Sequence, residues 1–193
     1  MEPFRPVRGG GVRVRLSATE ASLLRGLVGE VMFLIAAEPG QSPDGAPVAS
    51  RDPGHADDLA ALEGLLGEPA PEAPEDPVLA RLLPDAYRDD PEAAGEFRKY
   101  TESALRSAKW QAARQMLDTL PDSGGRVQLS SEQAHAWLKA LNDVRLALGV
   151  RLGVTEEFEE QWGRLKPDDP QWAAFEVYAW LGVVQESLVH ALR

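Results

Sequence analysis

The sequence predicts a mainly α fold, a single-domain helical bundle that opens on a short N-terminal β-hairpin. Three observations point there. The chain has 193 residues, 44% of them hydrophobic and 26% charged, which suits one globular domain. Apolar residues recur at helical spacing between capping signals along most of its length. Near the start, Val12-Arg13-Val14-Arg15-Leu16 alternates with the period of a half-buried strand, directly after three glycines.

The elements follow in order. Residues 4–16 read as the hairpin, with Gly9–Gly11 supplying the positive φ angles of its turn. The triple glycine is not a phosphate loop, since no Gly-Lys-Ser/Thr follows it. Ser17-Ala18-Thr19-Glu20 is a capping box. It opens a helix to about Ala37 whose stripe comprises Leu23, Leu24, Leu27, Val28, Val31, Leu34 and Ile35. Prolines and glycines crowd residues 38–55, which read as a flexible linker, and a short helix is expected over 56–66. The acidic, proline-rich stretch 67–77 reads as a second linker.

Val78–Leu83 makes a helical turn stopped by Pro84. Asp89-Asp90-Pro91 then opens a long helix to about Leu120, with acid at its positive end and proline in its first turn. One side carries Phe97, Thr101, Ala104, Leu105, Ala108 and Ala112; Trp110, Ala113 and Leu117 lie nearly opposite. Such a helix either sits inside a bundle or offers a partner surface, and the bundle interior is the commoner outcome. Ser130 and Gln133 cap a helix that runs to about Leu148, ended or bent by Gly149 or Gly153. Thr155 is expected to cap a helix through Leu165. Asp168-Asp169-Pro170 opens a last one from Gln171 to Leu192, whose apolar middle, Phe175–Val184, places it at the centre of the core.

Charge narrows the partners. The net charge is −11, unsuited to a whole-surface nucleic-acid binder or to docking on anionic lipid. Residues 1–16 nevertheless hold Arg5, Arg8, Arg13 and Arg15 against Glu2, a basic arm on an acidic body. These arginines are candidate partner-binding residues, and any DNA contact is expected only through this hairpin. The plainer reading is that they keep a strand edge from aggregating. The longest apolar runs, Val31–Ala37 and Val177–Val184, are too short to span a membrane. MEPFRPVRGGG lacks the apolar stretch of a signal peptide. A cytoplasmic protein with no membrane partner is expected.

Few groups suggest chemistry. With no cysteine and three histidines, neither a thiolate or imidazole-rich metal site nor a thiol redox switch is expected. Motifs for metalloproteases, serine hydrolases and dinucleotide or calcium binding are absent, and no cofactor is expected. Arg145 is the most informative charge, falling among Leu138, Leu141, Leu148 and Leu152 on the apolar face of its helix. A buried guanidinium needs a partner, and Glu186 or Glu176 on the last helix is the natural one. Asn142 and Asp143 add polar capacity beside it. Asn142, Asp143, Arg145 and Glu186 thus read as a buried polar cluster fixing helix register, with a small-molecule pocket as the alternative. The five tryptophans read mainly as core, Trp110 being the better interface candidate.

Several stretches together carry a resemblance: FRPVRGGGVRVRLSATEASLLRGL at 4–27, LARLLPDAYRDDPEAAGEFRKYTESAL at 79–105, LSSEQAHAWLKALNDVRLALGVRLGV at 129–154 and VYAWLGVVQESLVHAL at 177–192. In this respect the chain resembles an actinobacterial domain-of-unknown-function family that includes oxidative-stress transcriptional regulators acting with an alternative sigma factor. The resemblance maps the family's Asn-Asp-x-Arg-Leu motif onto Asn142, Asp143, Arg145 and Leu146. It implies a non-enzymatic transcriptional regulator of the stress response, acting by protein–protein contact with a sigma factor, an RNA polymerase component or another transcription protein. An adaptor or scaffold in a proteolysis-related complex is the competing reading. A homodimer is left open, twofold dimers being the commonest oligomers. The chain departs from any thiol-sensing scheme: only Met1, Met32 and Met116 could be oxidised.

Overall fold

The computed structural model describes residues 2–36, 73–87, 89–166 and 168–193. The expected linker at 38–55, the helix at 56–66 and most of the linker at 67–77 lie outside the described residues.

Two strands, β1 (Glu2–Pro6) and β2 (Val12–Leu16), form the hairpin. Gly9, Gly10 and Gly11 take φ of 94°, 98° and 87°, a region only glycine enters cheaply. β2 alternates as read, burying Val12, Val14 and Leu16 and exposing Arg13 and Arg15. Beyond it, α1 (Ala18–Ala36) starts on the Ser17–Glu20 box. The Glu20 amide donates to the Ser17 hydroxyl at 3.2 Å and the Ser17 amide to the Glu20 carboxylate at 2.8 Å. Asp76 caps α2 (Pro77–Leu82) and Asp90 caps α3 (Pro91–Thr119), each at a proline-led first turn.

A third strand, β3 (Gly125–Leu129), pairs antiparallel with β2. The sheet is therefore three-stranded in the order β1-β2-β3, where a two-stranded hairpin was expected. Its inner face, made of Phe4, Val12, Val14, Leu16, Val127 and Leu129, is part of the buried core. α4 (Ser131–Leu152) follows, with both bonds of the Ser130–Gln133 capping box formed. It runs through Gly149 and ends at Gly153, which caps it in the left-handed conformation.

α4 is the centre of the bundle, packing against α1, α2, α3 and the last helix. Trp137, Leu141 and Val144 on it are almost wholly buried. The Trp137 indole donates to Thr119 Oγ1 at 2.7 Å and meets Phe4 edge to face at 6.1 Å, so one residue ties α4 to α3 and to the sheet. Leu141→Ala would cost about 2–5 kcal/mol at such a site.

Three expectations need correction. The helix after Thr155 begins later: α5 spans Phe158–Arg164 with no side-chain cap. Thr155 instead closes a turn, accepting from the Glu157 amide at 3.3 Å. The last helix, α6 (Trp172–Leu192), lies beside α4 rather than at the centre; Val183 on it is 61% exposed. It can be apolar nearly all round because Phe158 packs on Phe175 and Tyr178 and Trp162 packs on Trp172, which half-buries its first turns. Finally, α3 buries Ala112, Ala113 and Met116 but leaves Phe97, Ala104, Leu105 and Ala108 exposed among the described residues. It is not buried on both faces.

Among the described residues no helix is long and apolar enough to cross a membrane.

Candidate functional site

The strand register arranges six exposed residues on the outer face of the sheet. Glu2 on β1 stands opposite Arg15 on β2, and Arg15 opposite Arg126 on β3. One row along, Arg5 stands opposite Arg13, and Arg13 opposite Gln128. Side chains directly opposite one another are about 4.5–5.5 Å apart at Cβ, and the two rows about 7 Å apart along the strands. The face thus holds four guanidiniums, one carboxylate and one amide. Arg5, Arg13, Arg15 and Arg126 border a shallow depression of about 290 Å³.

Among the described residues, none of these four arginines finds an ion pair or a side-chain hydrogen bond. The arrangement is the reverse of what stabilises a sheet, because like charges set directly opposite repel. Its local chemistry is that of an anion receptor. Guanidiniums are planar, permanently charged and matched to carboxylate and phosphate oxygens. Arg8 is exposed at the turn, away from this grid.

Arg126 is the site residue that the sequence reading missed. The signal was present: Arg126-Val127-Gln128-Leu129 alternates as β2 does and follows Gly124-Gly125. The two glycines have φ of 79° and 130°. A Cβ on Gly124 would sit 2.5 Å from the Ala18 amide nitrogen, so β3 can approach the start of α1 only with glycine there.

The expected polar cluster on α4 is not assembled. Arg145 and Asp143 lie two residues apart, about 200° around a helix, and so face different neighbours. Asp143 turns to α3, where Lys109 Nζ is 2.6 Å from its carboxylate. Burial holds the Asp143 carboxyl above the usual range, although the Lys109 hydrogen bond and charge pull it down. Arg145 turns to α6. Its partners are Gln185 Oε1 at 2.8 Å and the Tyr178 ring, whose centroid is 5.2 Å away. Gln185 lies seven residues after Tyr178 and so on the same face. Glu186 is one step further round and exposed, and Asn142 is exposed as well. Arg145 thus does find a partner in α6, but the partner is neutral. Trp110 is half-buried on α3.

A second charged group lies between α1, the α2–α3 connection and α3. Arg106 pairs with Glu102 at 2.7 Å and donates to the Ile35 carbonyl at 2.9 Å, which satisfies an orphan carbonyl near the end of α1. Arg98 pairs with Asp85 and reaches Glu102 at 3.7 Å. The side chains of Arg98, Glu102 and Arg106 are each only 10% exposed. Every charge in this group has an opposite partner, so it reads as an internal tie rather than a receptor. Among the described residues no group of three or more acidic or histidine side chains is placed to hold a metal ion.

Comparison with known proteins bears on the whole chain. A family model described as Domain of unknown function (DUF2017) matches residues 1–192. Proteins of Mycobacterium bovis and Mycobacterium tuberculosis, each named Oxidative stress regulator AosR, are 39% identical to it. Each alignment covers 95% of this chain and 83% of the relative. No solved structure matches.

Proposed function

This chain belongs to the DUF2017 family, and from that premise we propose that it is a non-enzymatic regulator of the oxidative-stress response, working in the cytoplasm by contact with a sigma factor or an RNA polymerase component. The curated relatives are named as oxidative stress regulators, which supports the regulatory role. The observation that carries the contact is the outer face of the sheet. Four arginines without partners stand on a chain whose net charge is −11. Leaving them opposed costs the folded chain stability, and an anionic partner surface would relieve that cost. With no cysteine, the response to oxidant does not pass through a thiol of this chain.

The test is direct. The full chain and a variant carrying Arg13→Glu and Arg15→Glu are used to capture purified RNA polymerase and sigma factors across a salt titration. Capture by the natural chain should weaken steeply with salt, and the variant should lose about tenfold or more. Equal capture by both proteins removes the hairpin from the mechanism. Recovery from native lysate of protease components and no transcription protein would favour an adaptor instead.

A further inference from the structure

The two edges of the sheet differ. β1 is closed: its Phe4 amide donates to Ser187 Oγ of α6 at 2.7 Å, it is irregular between Glu2 and Arg5, and it carries Pro3 and Pro6, which have no N–H to offer. β3 has none of these guards. Outside its ladder with β2, Arg126, Val127 and Gln128 make no backbone hydrogen bond among the described residues. The register shows which groups point outward. A Cβ on Gly11 would lie 2.2 Å from the Leu129 carbonyl oxygen, so that carbonyl faces β2. The bonded pairs are then Val12–Leu129, Val14–Val127 and Leu16–Gly125. In an antiparallel ladder the intervening residues turn both backbone groups away. Arg126 and Gln128 thus present N–H and C=O to an incoming chain, and both are exposed.

Resting on the reading above, we infer that the β3 edge takes an extended acidic segment of a partner protein as a fourth strand. A residue paired with Arg126 would lie on the arginine face, about 5 Å from it and within reach of Arg15 one strand further. Acidic residues at alternate positions would meet these guanidiniums while the peptide backbone met Arg126 and Gln128. A polypeptide fits better than a nucleic acid. The outward amides and carbonyls need peptide groups, the face has no aromatic side chain for bases to stack on, and the body repels a polyanion. A second copy of this chain fits worse, since pairing β3 with β3 would crowd the arginines of two copies.

The probe is a fluorescein-labelled twelve-residue peptide alternating glutamate with valine, read by anisotropy against the full chain at low salt. Controls N-methylate its backbone amides, or replace its glutamates by lysine; a duplex DNA oligonucleotide is run beside them. Arg126→Glu should weaken the acidic peptide about tenfold or more. The N-methylated peptide, with equal charge but no backbone donors, should lose a similar factor. Gln128→Pro differs from Gln128→Ala in lacking the outward N–H, both having lost the side-chain amide, and should bind several-fold more weakly than Gln128→Ala. Equal binding of the N-methylated peptide, tighter binding of the DNA, absence of peptide binding, or a dimer that Gln128→Pro dissociates would each overturn strand addition. If RNA polymerase or a sigma factor is captured through Arg13 and Arg15 while the peptide is not bound, the regulatory reading stands and this one falls.

Discussion

Nearly all arginines on the helices are treated differently from those on the sheet in this molecule. On α1, α3, α4 and α5 each one is engaged: Arg25 with Asp122, Arg98 with Asp85, Arg106 with Glu102, Arg114 with Asp118, Arg145 with Gln185, Arg151 with Glu30 and Arg164 with Glu160; the exception is the exposed Arg81 on the short α2, which has no partner among the described residues. On the sheet, Arg5, Arg13, Arg15 and Arg126 have none. Acidic residues are abundant enough to have served them, as the net charge shows. Thus the same side chain is a fastener on those four helices and, where four are gathered and opposed on one face, an unfilled receptor, and only that gathering calls for something outside the chain.

The contrast breaks most visibly at Glu102. Glu102→Ala would leave Arg106 and Arg98 short of a carboxylate in a nearly dry setting, costing about 3–5 kcal/mol, read as a fall in the urea midpoint. If that variant unfolds at the natural midpoint, the internal group is not a fastener.

Asp143 gives a smaller effect with a definite sign. Its carboxyl is raised by burial, so the folded chain holds the proton to higher pH than the unfolded chain. Stability from this group is therefore full below the unfolded value, near 3.8, and is lost as pH rises through the raised folded value. Asp143→Asn cannot titrate and should flatten that decline, while changing stability near neutral pH by about 1 kcal/mol or less. Melting curves at stepped pH values check this; a slope unchanged by the substitution would assign the pH dependence elsewhere.

On the sheet the expected change is smaller and opposite. Arg15→Gln with Arg126→Gln removes a directly opposed like-charge pair and should stabilise the chain by roughly 0.2–1 kcal/mol. A loss of stability would mean that these arginines serve the fold. Smallest of all, added salt should raise the melting temperature of the natural chain by about a degree or two more than that of the double variant, because it screens exposed repulsion.

Much of this was legible in the residues, and what was not has physical reasons. Local signals carried through: both capping boxes, the proline-led start of α3 and the glycine turn at 9–11 are decided within a few residues. β3 is decided by pairing with a strand more than a hundred residues earlier, and five residues between two helices do not announce a long-range partner. Arg126 was therefore missed although its alternation with Val127 and Leu129 could be seen. The polar cluster on α4 was misassembled for a related reason. The helical period places Arg145 and Asp143 correctly on α4, but it cannot say which neighbour lies on each side. Gln185 rather than Glu186 faces Arg145 because of how α6 is rotated, which α5 and its aromatic contacts help to set.

A single residue, Ser17, separates the end of β2 from the start of α1, and both of its capping bonds are made. That joint has no slack. The sheet cannot tilt to suit a visitor without turning α1 as a rod, and the far end of that rod is held where Ile35 meets Arg106. Whatever grips the strands must accept their angle as it stands, or else lever on the centre of the bundle.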